Sequence, residues 1–192
     1  MKKFELTTES ITNEAGKKLF RIKALIDFGD VKAGEPGGYV EKEGNVSQDD
    51  NAWVSGDAEV FGNAKVSGNA KVFGNAKVSG NAWVYDNAWV YDNARVSGNA
   101  WVSGNARVSG DARVSGDADY ALVQGFGTEF RCTTFYRGKN KKIMVNCGCF
   151  HGDLEGFRKQ VKETRNGKIA KEYLMIADLM EYHFTSEDSS NE

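Results

Sequence analysis

The chain has 192 residues, with 25 Lys and Arg against 27 Asp and Glu and a formal net charge of −2. A generic nucleic-acid binder, basic overall, is not expected from that balance. Twenty-two glycines beside a single proline, Pro36, set it apart from Gly-rich disordered chains, whereas a β-solenoid needs glycine at its corners and must keep its ladder donors.

No run approaches the ~18 apolar residues of a membrane span. The opening Met1-Lys2-Lys3-Phe4-Glu5-Leu6 has no apolar stretch behind its lysines, so no secretory signal is expected. Three cysteines, Cys132, Cys147 and Cys149, all fall late in the chain. An odd set without a signal reads as reduced thiols, so the expected location is cytoplasmic, in a bacterium or in a cell hosting a virus.

In chain order, residues 1–45 read as an N-terminal β cap. Phe20, Ile22, Ala24, Leu25 and Ile26 predict a strand, and Asp30-Val31-Lys32-Ala33-Gly34 a turn. From Asp50 the sequence divides into blocks of six without an insertion: DNAWVS, GDAEVF, GNAKVS, GNAKVF, GNAKVS, GNAWVY, DNAWVY, DNARVS, GNAWVS, GNARVS, GDARVS and GDADYA. These 12 blocks cover residues 50–121, and a repeat of this kind decides the fold before any other signal. Within each block the alanine and the valine lie two apart, so on a strand they share one face, and the residue between them points the other way. The following Gly-Asn or Gly-Asp pair supplies a corner. Three corners per coil make 18 residues per coil and about four coils. Val40 and Val46 are also six apart but run two residues out of phase with Val54. They extend the inner column only if a small insertion near Gln48 is absorbed at a corner. The solenoid is therefore drawn over 46–124.

Beyond Gly125 the period stops. Phe130–Tyr136 and Ile143–Cys147 are strand-like around the turn-rich Gly138-Lys139-Asn140-Lys141, and two helical stretches follow. Asp153 is placed to cap the first, which runs to about Thr164. The second spans about Lys168 to His183 with Ile169, Tyr173, Ile176, Leu179 and Met180 at apolar spacing. The expectation is a ββαα module over 125–184 and a disordered acidic tail over 185–192.

The blocks resemble the hexapeptide repeat of left-handed parallel β-helices, in which an aliphatic residue is followed four positions later by a small one: Val54 then Ala58, Val60 then Ala64. The lead-in segments Ile22-Lys23-Ala24-Leu25, Phe28-Gly29-Asp30-Val31-Lys32 and Gly37-Gly38-Tyr39-Val40-Glu41 look similar to phage-encoded and bacterial YdcK-like β-helix proteins. The resemblance implies the left hand, since parallel crossovers in general favour the right, and it implies phage or bacterial ancestry. The fold class expected is mainly β: a left-handed parallel β-helix of about four to five coils with a small C-terminal α+β module.

Hexapeptide β-helix proteins include acyltransferases that use a histidine base beside the coils, and others that hold zinc on coil histidines. Only His151 and His183 exist here, both in the C-terminal module, and no long loop interrupts the coils. No enzyme activity and no cofactor are expected, and a degenerate transferase ranks last. Cys132, Cys147, Cys149 and His151 form the one candidate metal set, three thiolates and an imidazole, if Cys147, Cys149 and His151 alternate along a strand. Core packing of the thiols is the competing reading.

Stacking every 18 residues gives three outward ladders: Trp53, Lys71, Trp89, Arg107; Glu59, Lys77, Arg95, Arg113; and Lys65, Trp83, Trp101, Asp119. Phe73 and Tyr91 stand at the corner beside the first. One reading is ladder stacking or a homotrimer or homodimer interface. The other is a recognition surface for a host protein, or for a nucleotide whose base stacks on a ring while Lys or Arg meets its phosphate. On the second reading the chain is a non-catalytic phage protein that antagonises a host defence factor, with Trp53, Lys71, Phe73, Trp89, Tyr91, Arg107, Trp83, Trp101, Arg95 and Arg113 as candidate contacts. A structural, self-assembling scaffold is the alternative.

Overall fold

A computed structural model describes residues 2–185, with the side chain of Asn140 excepted. The expected acidic tail lies outside the described residues from residue 186 onward. The chain forms two units, Met1–Asp117 and Ala118–Glu192.

Unit 1 is a three-sided parallel β-solenoid with an antiparallel cap. The cap strands are β1 (Phe4–Thr12), β2 (Lys18–Ala24) and β3 (Pro36–Val40). Eleven two-residue strands follow at six-residue steps: β4 (Trp53–Val54), β5 (Glu59–Val60), β6 (Lys65–Val66), β7 (Lys71–Val72), β8 (Lys77–Val78), β9 (Trp83–Val84), β10 (Trp89–Val90), β11 (Arg95–Val96), β12 (Trp101–Val102), β13 (Arg107–Val108) and β14 (Arg113–Val114). They sort into three sheets, β4-β7-β10-β13, β6-β9-β12 and β5-β8-β11-β14, and the last continues through β3 into β2 and β1. Register steps by 18 residues: Val54 pairs with Val72, Val72 with Val90, and Val90 with Val108.

The alanines and valines of every coil are buried, as the two-residue spacing predicts. They leave a narrow core in which each coil is stabilised only by stacking on its neighbours. Backbone bonds run from coil to coil, for instance Trp53 N–H to Ala70 O at 3.0 Å and Ser55 N–H to Val72 O at 2.9 Å. The corners need positive φ. At Gly68 (φ +66°) an added Cβ would lie 2.9 Å from the nitrogen of Asp86 one coil on. Two corners use aspartate instead. Asp86 and Asp92 sit at φ 58°, and each carboxylate accepts the backbone N–H of the next coil's corner glycine, Gly104 and Gly110, at 3.1 Å. Asparagines line the corners in hydrogen-bonded files such as Asn51–Asn69–Asn87–Asn105.

The out-of-phase valines do join the inner column. Val40 pairs with Val60 and Val46 bridges Val66, a step of 20 residues, and the two extra residues are absorbed in the segment 47–52. Gln48 in that segment turns back onto β1, accepting from Lys3 N–H at 2.8 Å and donating to Phe4 O at 3.2 Å. The first coil's carbonyls, and the corner amide of Gly62, would otherwise be an open edge. Three side chains and one strand close it. Lys3 Nζ donates to Asp50 O at 2.6 Å and Ala52 O at 2.9 Å. Asn45 donates to Ala64 O at 2.8 Å, β3 pairs with β5, and Glu41 accepts Gly62 N–H at 2.6 Å. Burial lowers the Lys3 ammonium to about 8, with Asp50 and Asp49 opposing the shift.

The twelfth block departs from expectation. Asp117–Asp119 is a 3-10 turn, where the Asp117 carboxylate takes the N–H of Trp101 at 2.9 Å, and Tyr120 begins a strand of unit 2. Asp119 therefore never joins the Lys65–Trp83–Trp101 ladder and pairs instead with Arg137 at 2.9 Å.

Unit 2 is a four-stranded antiparallel sheet, β15 (Tyr120–Phe126), β16 (Arg131–Arg137), β17 (Ile143–Cys147) and β18 (Phe150–Asp153), followed by α1 (Leu154–Thr164) and α2 (Gly167–Thr185). Two strands more than the expected ββαα are present, and the module starts before residue 125. β15 begins inside the last apparent block, and β18 is separated from β17 by a two-residue turn at Gly148-Cys149. Asp153 caps α1 as expected, accepting Gly156 N–H at 2.9 Å. Phe135 and Val145 of the sheet pack on Phe157, Val161, Tyr173, Ile176, Ala177 and Met180 of the helices. Among the described residues no helix is long and apolar enough to cross a membrane.

Candidate binding surface

The predicted ladders form, but they are not equivalent. On the first, Trp53 is not a solvent-facing residue: it is 4% exposed. The cap lies across it, with Phe28 edge-on at 5.3 Å and Phe4 at 6.2 Å. Gly37 leaves it room, since a Cβ there would stand 2.7 Å from the indole ring. Glu59, at the same place in the second ladder, is likewise buried. A pattern repeated every six residues cannot reveal that the cap covers the first two strands. The Gly37-Gly38 pair was the available signal, because small residues mark close approach.

Farther along the first ladder, Trp89 is enclosed rather than open. Lys71 lies over one side of the ring at 5.6 Å and Arg107 over the ring at 4.8 Å, and Phe73 meets its edge at 5.9 Å. Phe73 in turn stacks on Tyr91, 5.0 Å apart and within 5° of parallel. Lys71 is also bound to Asp30 of the cap at 2.7 Å. This group satisfies itself.

The second ladder is an ion-pair file. Lys77 meets Glu59 at 3.0 Å and Glu14 at 3.5 Å, and Arg95 meets Glu14 at 3.4 Å. Arg113 donates to the carbonyls of Asn93 and Ala112 at 3.3 and 2.8 Å. Two of the three cations of this row, Lys77 and Arg95, are thus paired with carboxylates, Glu59 of the coil and Glu14 of a cap loop. The more exposed pairs to Glu14 contribute little to stability, but with Glu59 they lower the field available to a phosphate.

The third ladder differs. Lys65 covers Trp83 at 5.1 Å, and Trp83 and Trp101 stack at 5.5 Å and 13°. Among the described residues no cap ring or cation stacks on them, and they are 39% and 50% exposed. β12 is the last strand of its sheet, so Trp101 ends the stack. Of the four tryptophans, these two are the ones the fold leaves on the surface.

The metal set is not assembled. Thr133 stands opposite Cys147 and Asn146 opposite His151. Cys147 and His151 therefore face opposite sides of the sheet, Cys132 falls on the side away from Cys147, and Cys149 sits in the turn. The alternation of Cys147, Cys149 and His151 fails because the chain reverses at Gly148 (φ +62°). Among the described residues no group of three or more His, Cys, Asp or Glu could hold a metal ion. Cys147 instead packs against the unit 2 core and accepts from the Thr133 hydroxyl at 3.1 Å.

Comparison with known proteins adds a family signal inside the solenoid. No curated protein matches the chain significantly. The family model of the YdcK β-solenoid repeat matches residues 88–104 and 106–118, less than a fifth of the chain. The matched stretch holds Trp89, Arg95, Trp101, Arg107 and Arg113, and it ends where unit 1 gives way to unit 2.

Proposed function

We propose that this protein is a non-catalytic binding module that occludes the surface of a partner protein through the Trp83–Trp101 face of its solenoid. The observation that carries the proposal is the contrast among four tryptophans of one repeat. Trp53 serves the cap and Trp89 is sandwiched, while Trp83 and Trp101 stand exposed on a polar face. Tryptophan in such a setting is characteristic of interface hot spots, and apolar area rimmed by polar groups marks interaction sites. The strands are two residues long and no insertion interrupts their spacing, so the face is flat. Small-molecule sites are concave, and a flat face with two large anchors suits a protein better than a free nucleotide. The resemblance of the lead-in to phage-encoded proteins supports a phage origin, a cytoplasmic setting and a host factor as the partner class.

The test is affinity capture by tagged protein, with captured proteins and released small molecules both identified by mass spectrometry. A stoichiometric host protein retained by the wild type and by Trp89→Ala, and lost with Trp83→Ala/Trp101→Ala, supports occlusion. Release of a nucleotide that depends on the same two tryptophans would replace occlusion with sequestration. Capture unaffected by the double substitution would remove this face from consideration. Sedimentation velocity on the same variants addresses the self-assembling scaffold: concentration-dependent association abolished by the double substitution would make the face a contact between copies.

A further inference from the structure

We propose that unit 2 contains a binding pocket for a small oxyanion of phosphate size, held by Arg131 and Arg165 over the Tyr173 hydroxyl. A cavity of about 70 Å³ opens between the β15–β16 turn, the β17 end and the C-terminal end of α1, with Arg131, Cys147, Arg165 and Tyr173 in its wall. About 10–15 Å³ of such space admits one water, so the cavity has room for a tetrahedral anion.

Charge and construction point the same way. The other guanidinium groups of this unit are paired, Arg137 with Asp119 and Arg158 with Asp178 and Glu181. Among the described residues no carboxylate pairs with Arg131 or Arg165. Both nevertheless act on one point. The Tyr173 hydroxyl donates to Phe126 O at 3.2 Å; burial first and then Cys147 raise its pKa, and Arg165 and Arg131 both lower it. Two glycines in the left-handed region let Arg131 and Tyr173 lie close against the backbone. A Cβ on Gly148 (φ +62°) would come within 2.5 Å of Arg131 Nη1, and one on Gly127 (φ +74°) would collide with the Tyr173 hydroxyl. Glu129 at the rim opposes an anion, but two guanidinium groups outweigh one carboxylate. Their planar forks match the oxygens of phosphate or sulfate better than an ammonium does. The anion could be free phosphate or the phosphate of a larger molecule whose remainder stays outside.

Cys147 in the wall provides the readout. In a Cys132→Ser/Cys149→Ser background, the rate at which a thiol reagent modifies Cys147 is followed against inorganic phosphate at constant ionic strength, with phosphate binding measured in parallel by calorimetry. Expected are one site per chain, slowed modification, and an affinity loss of about tenfold or more in Arg131→Gln/Arg165→Gln. Lys171→Gln serves as the charge control and leaves binding unchanged. Repeating the titration with a nucleoside monophosphate distinguishes the sources. Tighter binding than phosphate assigns a phosphorylated molecule, and weaker binding assigns the free ion. The proposal is overturned if about 10 mM phosphate, enough to fill a millimolar site, neither gives heat nor protects Cys147. It is equally overturned if binding survives the double arginine substitution while circular dichroism shows the fold intact.

Discussion

Trp53→Ala and Trp101→Ala are the same chemical change at equivalent positions of one repeat, yet their costs should differ about twofold. Trp53 is 4% exposed and Trp101 50% exposed. A tryptophan side chain buries about 200 Å² when fully covered. At about 25 cal/mol per Å² this contributes about 5 kcal/mol for full burial and about half of that for half burial. Less the area alanine retains, the expected losses are about 4 kcal/mol for Trp53→Ala, within the usual range for large-to-small core changes, and at most about 2 kcal/mol for Trp101→Ala. With about 3–4 °C per kcal/mol for a unit of this size, thermal melting followed by far-ultraviolet circular dichroism should fall by about 12–16 °C in the first variant. In the second the drop should stay below about 8 °C. Trp53→Phe sharpens the comparison. It keeps most of the apolar contact with Phe4 and Phe28 and removes an indole N–H that has no acceptor among the described residues, so it should lose less than half of what alanine loses. The reasoning is refuted if Trp53→Ala melts within 2 °C of the wild type, or if Trp101→Ala is the less stable of the two.

Other consequences are as direct. Between pH 8 and the ordinary lysine value of 10.5, the folded chain has released the Lys3 proton that the unfolded chain still holds. The unfolded state then binds more protons, so the Lys3 contribution to stability rises with pH through this window; urea midpoints at pH 8 and 9.5 should show the rise in the wild type and a flatter response in Lys3→Met. Asp86→Ala keeps the unfavourable φ and loses the bond to Gly104 N–H, whereas Asp86→Gly loses only the bond. Alanine should therefore cost about 1–2 kcal/mol and glycine less, and the opposite order in chemical denaturation would exclude this account of the corner. Because Cys147 and His151 face opposite sides of the sheet, zinc titration should show no stoichiometric binding to the reduced protein; one tightly held ion per chain would contradict that geometry.

The coils could be read from the sequence because their physics is local and repeated: Ala52 and Val54 are inward for the same reason as Ala106 and Val108. What could not be read depended on contacts that break the repeat. Nothing in DNAWVS distinguishes Trp53 from Trp101, since the difference lies in Phe4 and Phe28, about 25 to 50 residues upstream. The end of the solenoid was misplaced because GDADYA keeps the composition of a block while Asp117 turns the chain out. The two-residue reversal at Gly148 leaves the alternation of Cys147, Cys149 and His151 unchanged on paper, so the sequence cannot show that they part. The exposed pair Trp83 and Trp101 was among the candidates, but its separation from Trp89 required the positions of Lys71 and Arg107. The Arg131–Arg165 pocket carried no sequence signal, because its residues come from a turn, a strand end and two helices.

The 18-residue register also constrains how such a chain can change length over evolutionary time. Losing one whole coil, such as residues 74–91, would bring Arg107 onto Lys71 and Arg95 onto Glu59, so every surviving residue would keep its own side of the solenoid. Losing a single hexapeptide, such as residues 74–79, would preserve every inward alanine and valine yet turn the whole downstream surface one side round, setting Trp83 upon Glu59. The interior tolerates growth in steps of six, whereas the surface tolerates it only in steps of 18. Lineages carrying this domain should therefore differ by complete coils wherever the outer faces are under selection, and by single blocks only where they are not.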